Sequence, residues 1–173
     1  MMKVAIAGFG FMGRMHYGCW KKVPDVRVVA LCDHDRRQFD EPAAAAGNVS
    51  GADASCDFGE AVIYEDFEAM LDGAKPDVVD ITLPTFLHVP MAELALSRGI
   101  HVLCEKPMAL NAAECDRLIA AWRAAPSGTE LMIGQCLRFR GEYVYAKRLI
   151  ESGEYGRVIA AYFGRYSLAP GWS

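Results

Sequence analysis

The fold is decided by Val4-Ala5-Ile6-Ala7-Gly8-Phe9-Gly10-Phe11-Met12-Gly13. Val4–Ala7 is a short apolar run that ends at a glycine, which predicts a buried strand. Met12–Lys22 follows as a predicted helix. Between them the glycines fall in the spacing G-x-G-x-x-G. On a strand-to-helix turn Gly8 permits the tight bend and Gly10 lets the backbone come close to a pyrophosphate. Gly13 lets the helix pack on the strand. The unpaired N–H groups and the dipole at the helix start favour an anion there.

The same spacing also occurs in ordinary loops, so its context decides. Val26–Cys32 reads as a second strand, too short and too β-branched for a helix. Asp33 stands at its tip, twenty residues past Gly13. A carboxylate there accepts hydrogen bonds from the adenosine ribose hydroxyls and repels a 2′-phosphate, so NAD is expected over NADP. Arg36 and Arg37 are near enough to meet a 2′-phosphate if Asp33 turns aside; otherwise they are solvated surface. Candidate cofactor contacts in this region are Gly8, Phe9, Gly10, Phe11, Met12, Gly13 and Asp33.

Working outward, strand-like and helix-like segments alternate. Asp35–Ala46 is Ala-rich and helical in pattern, or begins its helix only at Pro42. Asn48–Gly59 reads as a loop. A strand at Ala61–Tyr64, a helix at Asp66–Leu71, a strand at Asp77–Leu83 and a helix at His88–Arg98 follow. Ile100–Cys104 is a fifth strand. Asn111, with Glu114 three residues on, marks a helix start, and Ala112, Cys115, Leu118, Ile119 and Trp122 make its apolar stripe. Glu130–Gly134 is a sixth strand. This order predicts an α/β fold: a doubly wound, mostly parallel Rossmann sheet over residues 1–135.

From residue 136 the pattern changes. Glu142–Glu151 reads as a helix, and Arg157–Tyr166 as a strand apolar on both faces. One helix and one strand cannot bury such a surface alone. Residues 136–173 are therefore expected to be the start of an incomplete α/β second domain.

Composition narrows the function classes. Hydrophobic residues make up 53% of the 173 and charged residues 23%, a globular rather than disordered balance. The net charge of −4 gives no basic footprint for nucleic acid or an anionic membrane. No apolar run approaches the roughly 18 residues of a membrane span, and the N-terminal run is too short for a signal peptide, so a cytoplasmic protein is expected. The six cysteines show no C-x-x-C pair and no zinc spacing, which predicts reduced thiols, no disulfides and no metal.

Cys104-Glu105-Lys106-Pro107 directly follows the fifth strand, at the sheet edge where ligands bind in such folds. A lysine there can hold a substrate oxygen and steady developing negative charge; the plain alternative is a solvated surface turn. His16 reads as a packed or capping residue. For His88, cofactor contact and helix capping both stay open. His34 and His101 join no constellation.

Taken together, Gly8–Gly13 with His16, Asp33, Asp80-Ile81-Thr82-Leu83-Pro84-Thr85 with His88, Glu105-Lys106-Pro107 and the segment from Gly134-Gln135 to Val158 resemble the Gfo/Idh/MocA (glucose-fructose oxidoreductase/inositol dehydrogenase) family. The resemblance covers almost the whole chain. It implies hydride transfer between NAD(P) and a hydroxyl carbon of a sugar, inositol or related polyol, and a homo-oligomer built through the second domain. It also implies that Leu83, Pro84 and Thr85 lie beside the nicotinamide, with Glu105 and Lys106 near the nicotinamide and the reacting substrate. Leu83 stands where the family often has Thr. The family's Asp-x-x-x-His pair, whose His is the acid/base, is expected beyond Ser173, which leaves Lys106 as the one nameable catalytic residue. These 173 residues alone are accordingly expected to bind cofactor without turnover. Other readings are a dinucleotide-binding sensor without turnover and another Rossmann reductase of the amino-acid or biliverdin type. The intact Glu105-Lys106-Pro107 favours the enzyme.

Overall fold

A computed structural model describes residues 1–40, 58–164 and 166. Six strands form one sheet: β1 (Met2–Ala7), β2 (Val26–Cys32), β3 (Val62–Tyr64), β4 (Val78–Ile81), β5 (His101–Cys104) and β6 (Leu131–Ile133). Their order is β3-β2-β1-β4-β5-β6, and every neighbouring pair is parallel. The order reverses between β1 and β4, and ligands of open α/β sheets bind outside the carboxyl ends of the strands at such a reversal.

The helices among the described residues are α1 (Phe11–Trp20), α2 (Arg37–Asp40), α3 (Phe67–Ala74), α4 (His88–Ser97), α5 (Ala112–Ala124) and α6 (Gly141–Ser152). α5 starts as its sequence predicts: Asn111 Oδ1 accepts the Glu114 N–H at 3.0 Å, and Glu114 returns a carboxylate oxygen to the Leu110 N–H at 3.2 Å. α3 is capped by Asp66, which accepts the Ala69 N–H at 2.7 Å. It runs past Leu71 to Ala74, where Lys75 ends it in the left-handed conformation. β4 stops at Ile81, two residues short of the sequence reading, because Thr82 turns its hydroxyl back onto the Gly8 carbonyl at 2.6 Å.

Side chains alternate across the central strands and make two cores. Ala5, Ala7, Val79 and Ile81 join Met70, Val89, Ala92, Leu96 and Leu118 on one face. Val4, Ile6 and Val78 join Phe9, Tyr17, Leu31 and Phe39 on the other. By the same alternation Asp80, fully buried, falls on the face of Val78, where α1 lies.

By contact density the chain divides into Met1–Gly134 and the residues from Gln135 onward. In the second unit α6 ends at Gly153, whose positive φ of 67° suits a glycine. The strand expected over Arg157–Tyr166 is not there: its described residues, 157–164 and 166, carry no strand. This run, apolar on both faces, meets no partner strand among the described residues of that unit, and a ladder needs one. Ile159 is 93% exposed and Tyr162 87%. The expected helix over Asp35–Ala46 is described only to Asp40, as the single turn α2; its remainder and most of the Asn48–Gly59 loop lie outside the described residues.

Candidate functional site

The residues singled out in the sequence follow the carboxyl ends of β1, β2, β4 and β5, and so share one edge of the sheet. The glycine-rich turn is held from three sides. Gly8 donates its N–H to the Cys32 carbonyl at 2.8 Å, Thr82 Oγ1 donates to the Gly8 carbonyl, and Phe9 donates its N–H to Asp33 Oδ2 at 2.7 Å.

The three glycines differ in the way the fingerprint requires. Gly8 has φ of +88°, and a Cβ there would stand 2.8 Å from the backbone of Thr82 and Leu83. A Cβ on Gly13 would run into the Gly8 carbonyl oxygen, so only glycine lets α1 sit this close to the end of β1. Gly10 is the opposite case: a Cβ there meets no atom of the described residues within 4 Å. Its lack of a side chain leaves an open approach to the first turn of α1. Gly10, the N-cap of α1, offers no side-chain cap, and the helical ladder begins with the Arg14 N–H donating to the Gly10 carbonyl. The N–H groups of Phe11, Met12 and Gly13 precede that ladder and point to this opening. An open glycine before uncapped helical N–H groups fits a pyrophosphate.

Phe9 contributes its backbone only. Its ring is fully buried, stacked on Phe39 at 5.1 Å and edge-on to Phe58, with the Arg14 guanidinium 5.2 Å from its centroid. Asp33 is also nearly buried. Its Oδ1 accepts the Asp35 N–H at 2.9 Å, and Oδ2 is bound to Phe9. A carboxylate offers about four acceptor sites, so Asp33 keeps capacity for ribose hydroxyls. Arg37 binds Asp35 with two nitrogens at 2.9 Å, and Arg36 reaches Glu65 at 3.3 Å.

At the end of β4, Pro84 leads into a 3₁₀ turn over Thr85–Leu87 that runs into α4. His88 is buried, and both its ring nitrogens meet backbone carbonyls: Nε2 that of Leu83 and Nδ1 that of Pro107, each at 2.8 Å. Its ring ties the Leu83-Pro84-Thr85 turn to the turn after β5. At the end of β5 the Lys106–Pro107 peptide is cis and Lys106 is exposed.

One cluster was not legible as a site. His16 Nδ1 donates to Asp80 Oδ2 at 2.9 Å, and His16 Nε2 lies 3.3 Å from Glu105 Oε1. Trp20 Nε1 donates to Asp80 Oδ2 at 2.6 Å, and the Lys106 N–H donates to Glu105 Oε2 at 3.0 Å. Burial disfavours charge on His16, but hydrogen bonds and attraction from Asp80 and Glu105 outweigh it and raise its pKa to about 10. Burial likewise opposes charge on Glu105, yet His16 and the Lys106 N–H hold its carboxyl below the usual range. The available signal was Asp80 itself, a carboxylate inside the otherwise apolar Val78–Ile81.

Residues 2–131 match the family model described as the Gfo/Idh/MocA oxidoreductase family, NAD-binding Rossmann fold. The chain belongs to this family. Among curated proteins it is similar to D-apiose dehydrogenase of Paraburkholderia graminis, with 32% identity over 95% of this chain and 40% of the relative. It is also 32% identical to inositol 2-dehydrogenase of Salmonella typhimurium, over 96% of this chain and 46% of that one. Among solved structures, scyllo-inositol dehydrogenase of Lactobacillus casei with NAD(H) and scyllo-inositol bound superposes at a TM-score of 0.76. Its identity is 26%, over 90% of this chain and 42% of that one. The chain thus spans roughly two fifths of the length of the relatives it matches. No helix among the described residues is long and apolar enough to cross a membrane.

Proposed function

We propose that this chain forms the cofactor half of an NAD-dependent dehydrogenase acting on a hydroxyl carbon of a sugar, inositol or related polyol. The observation that supports the NAD preference most is Asp33. In this reading its carboxylate receives the adenosine ribose, while Arg36 and Arg37 are engaged by Glu65 and Asp35. A 2′-phosphate would meet an anion there instead of a guanidinium.

In this reading Gly10 admits the pyrophosphate, and the N–H groups of Phe11, Met12 and Gly13 hold it. Leu83, Pro84 and Thr85 form the wall beside the nicotinamide, kept in register with the Glu105–Lys106 turn by the His88 ring. When bound, the nicotinamide supplies the hydride acceptor or donor. Lys106 holds the substrate oxygen and stabilises negative charge as its proton leaves. The dehydrogenases with which this chain shares 32% identity act on apiose and inositol by name, which supports the substrate class. Residues 136–173 are read as the beginning of the substrate and oligomerisation domain. The exposed apolar side chains there, Ile159 and Tyr162 among them, support self-association.

The test is NADH formation by the whole protein over a panel of sugars, inositols and acyclic polyols. NAD-dependent oxidation of at least one member supports the reading. NADH binding with no turnover on any member would favour a dinucleotide sensor.

A further inference from the structure

His16 lies one turn beyond the cofactor-facing start of α1, and the proposed chemistry gives it no role. It is nevertheless the hinge of a continuous chain of polar contacts across three elements. Asp80, fully buried on β4, is fixed by the Trp20 indole and by His16. His16 passes from Asp80 to Glu105 at the end of β5. Glu105 is confined on all sides that matter. Its N–H is tied to the Ile81 carbonyl at 2.9 Å, its Oε1 faces His16, and its Oε2 accepts the N–H of Lys106. Gly134 permits this arrangement, since a Cβ there would stand 3.2 Å from Glu105 Oε1.

Stability alone is a poor account of the cluster. A buried ionic group seldom stabilises more than well-packed apolar residues of the same volume, because desolvation offsets the attraction. The geometry has a direction instead: each contact restrains the next until the last one restrains the peptide of Lys106. The charge on His16 is secured by two carboxylates, and the low pKa of Glu105 keeps it an acceptor for the Lys106 N–H.

We infer that His16 is a positioning residue: anchored by Asp80, it fixes the Glu105 carboxylate and thereby the backbone from which the Lys106 side chain projects. This deepens the proposed function, since it rests on Lys106 acting at the substrate. The helix carrying the glycine-rich turn and the strand end carrying Lys106 are thus held in one register through a single imidazole.

Amide hydrogen exchange tests the link without relying on turnover. In His16→Ala the Lys106 N–H should exchange about tenfold faster, the rate equivalent of losing one charge-assisted hydrogen bond. The Glu105 N–H, bound to Ile81, should stay within about threefold. His16→Gln should restore much of the protection, because its amide nitrogen can still donate to Glu105. NADH, titrated by fluorescence, should bind both variants within about threefold of wild type. An unchanged Lys106 exchange rate in His16→Ala would overturn the inference. So would equal acceleration of all β4 and β5 amides, which marks a simple staple, or loss of NADH binding, which marks a cofactor ligand. Failure of the Lys106 reading shows separately, as normal turnover in Lys106→Ala with these exchange results intact.

Discussion

Asp33 Oδ2 accepts the backbone N–H of Phe9 at 2.7 Å, so the carboxylate that ends β2 also fixes the glycine-rich turn that ends β1. The two strands are neighbours in the sheet, and their ends are joined by this side chain. A residue read from sequence as a ribose ligand is therefore structural as well. Removing it leaves a buried N–H without its acceptor.

NAD(H) is expected to bind at least about tenfold more tightly than NADP(H), a difference of about 1.4 kcal/mol. Titration of both by calorimetry measures this directly. Equal affinities, or a preference for NADP(H), would mean that Arg36 or Arg37 governs the site. Asp33→Ala should both weaken NAD binding and lower folding stability by about 1–3 kcal/mol, because the Phe9 N–H is left unpaired.

The glycines separate binding from folding. Gly10→Ala should fold normally, since the new methyl enters open space, yet bind NADH much more weakly. Gly13→Ala should instead destabilise the fold, by about 1–3 kcal/mol or more, because its Cβ runs into the Gly8 carbonyl. Melting temperature and NADH affinity measured on both variants check this. Loss of stability in Gly10→Ala, or normal stability in Gly13→Ala, would contradict it.

These contrasts show which parts of the molecule the sequence makes legible. The β1 turn, Asp33 and the Asn111 cap are local patterns, in which adjacent residues both make the structure and advertise it. The His16–Asp80–Glu105 cluster joins positions far apart in the chain, which only the 3-2-1-4-5-6 strand order brings together. Nothing near His16 in sequence announces its partners. His88 likewise sits beside the expected loop, but its ring is bound to the carbonyls of Leu83 and Pro107, because a buried imidazole requires polar partners. Arg157–Tyr166 failed as a strand for a different reason. An apolar run forms a strand only where another strand offers hydrogen bonds.

Stability should depend on pH through His16. Its folded pKa, about 10, lies above the 6.5 of the free side chain. Its contribution is fully present below pH 6.5 and is lost as pH rises toward 10, because the unfolded chain releases its proton first. Melting curves of wild type and His16→Gln should therefore converge as pH rises from 6.5 to 10. A constant gap across that window would mean that the imidazole carries no charge in the fold.

The thiols should divide by burial. Burial, with Asp33 and Asp66 near Cys32 and with Asp80 and Glu105 near Cys104, pushes both thiols up to about 12. Cys19 and Cys136 are exposed. Iodoacetamide at mildly alkaline pH should label Cys19 and Cys136 and leave Cys32 and Cys104 untouched in the native protein, as peptide mass mapping would show. Rapid labelling of Cys104 would indicate that the end of β5 opens.

The proposed chemistry rests on Lys106, and the most direct measurement is steady-state NADH formation by the whole protein and its Lys106→Ala variant. It is made on the sugar, inositol or polyol that the wild type oxidises best, with NAD affinity measured alongside. The variant should lose about 10²-fold or more in kcat, while its dissociation constant for NAD stays within a few-fold, because the lysine acts on the reacting oxygen and not on the dinucleotide. Near-normal kcat in Lys106→Ala would remove the lysine from the chemistry and contradict the account.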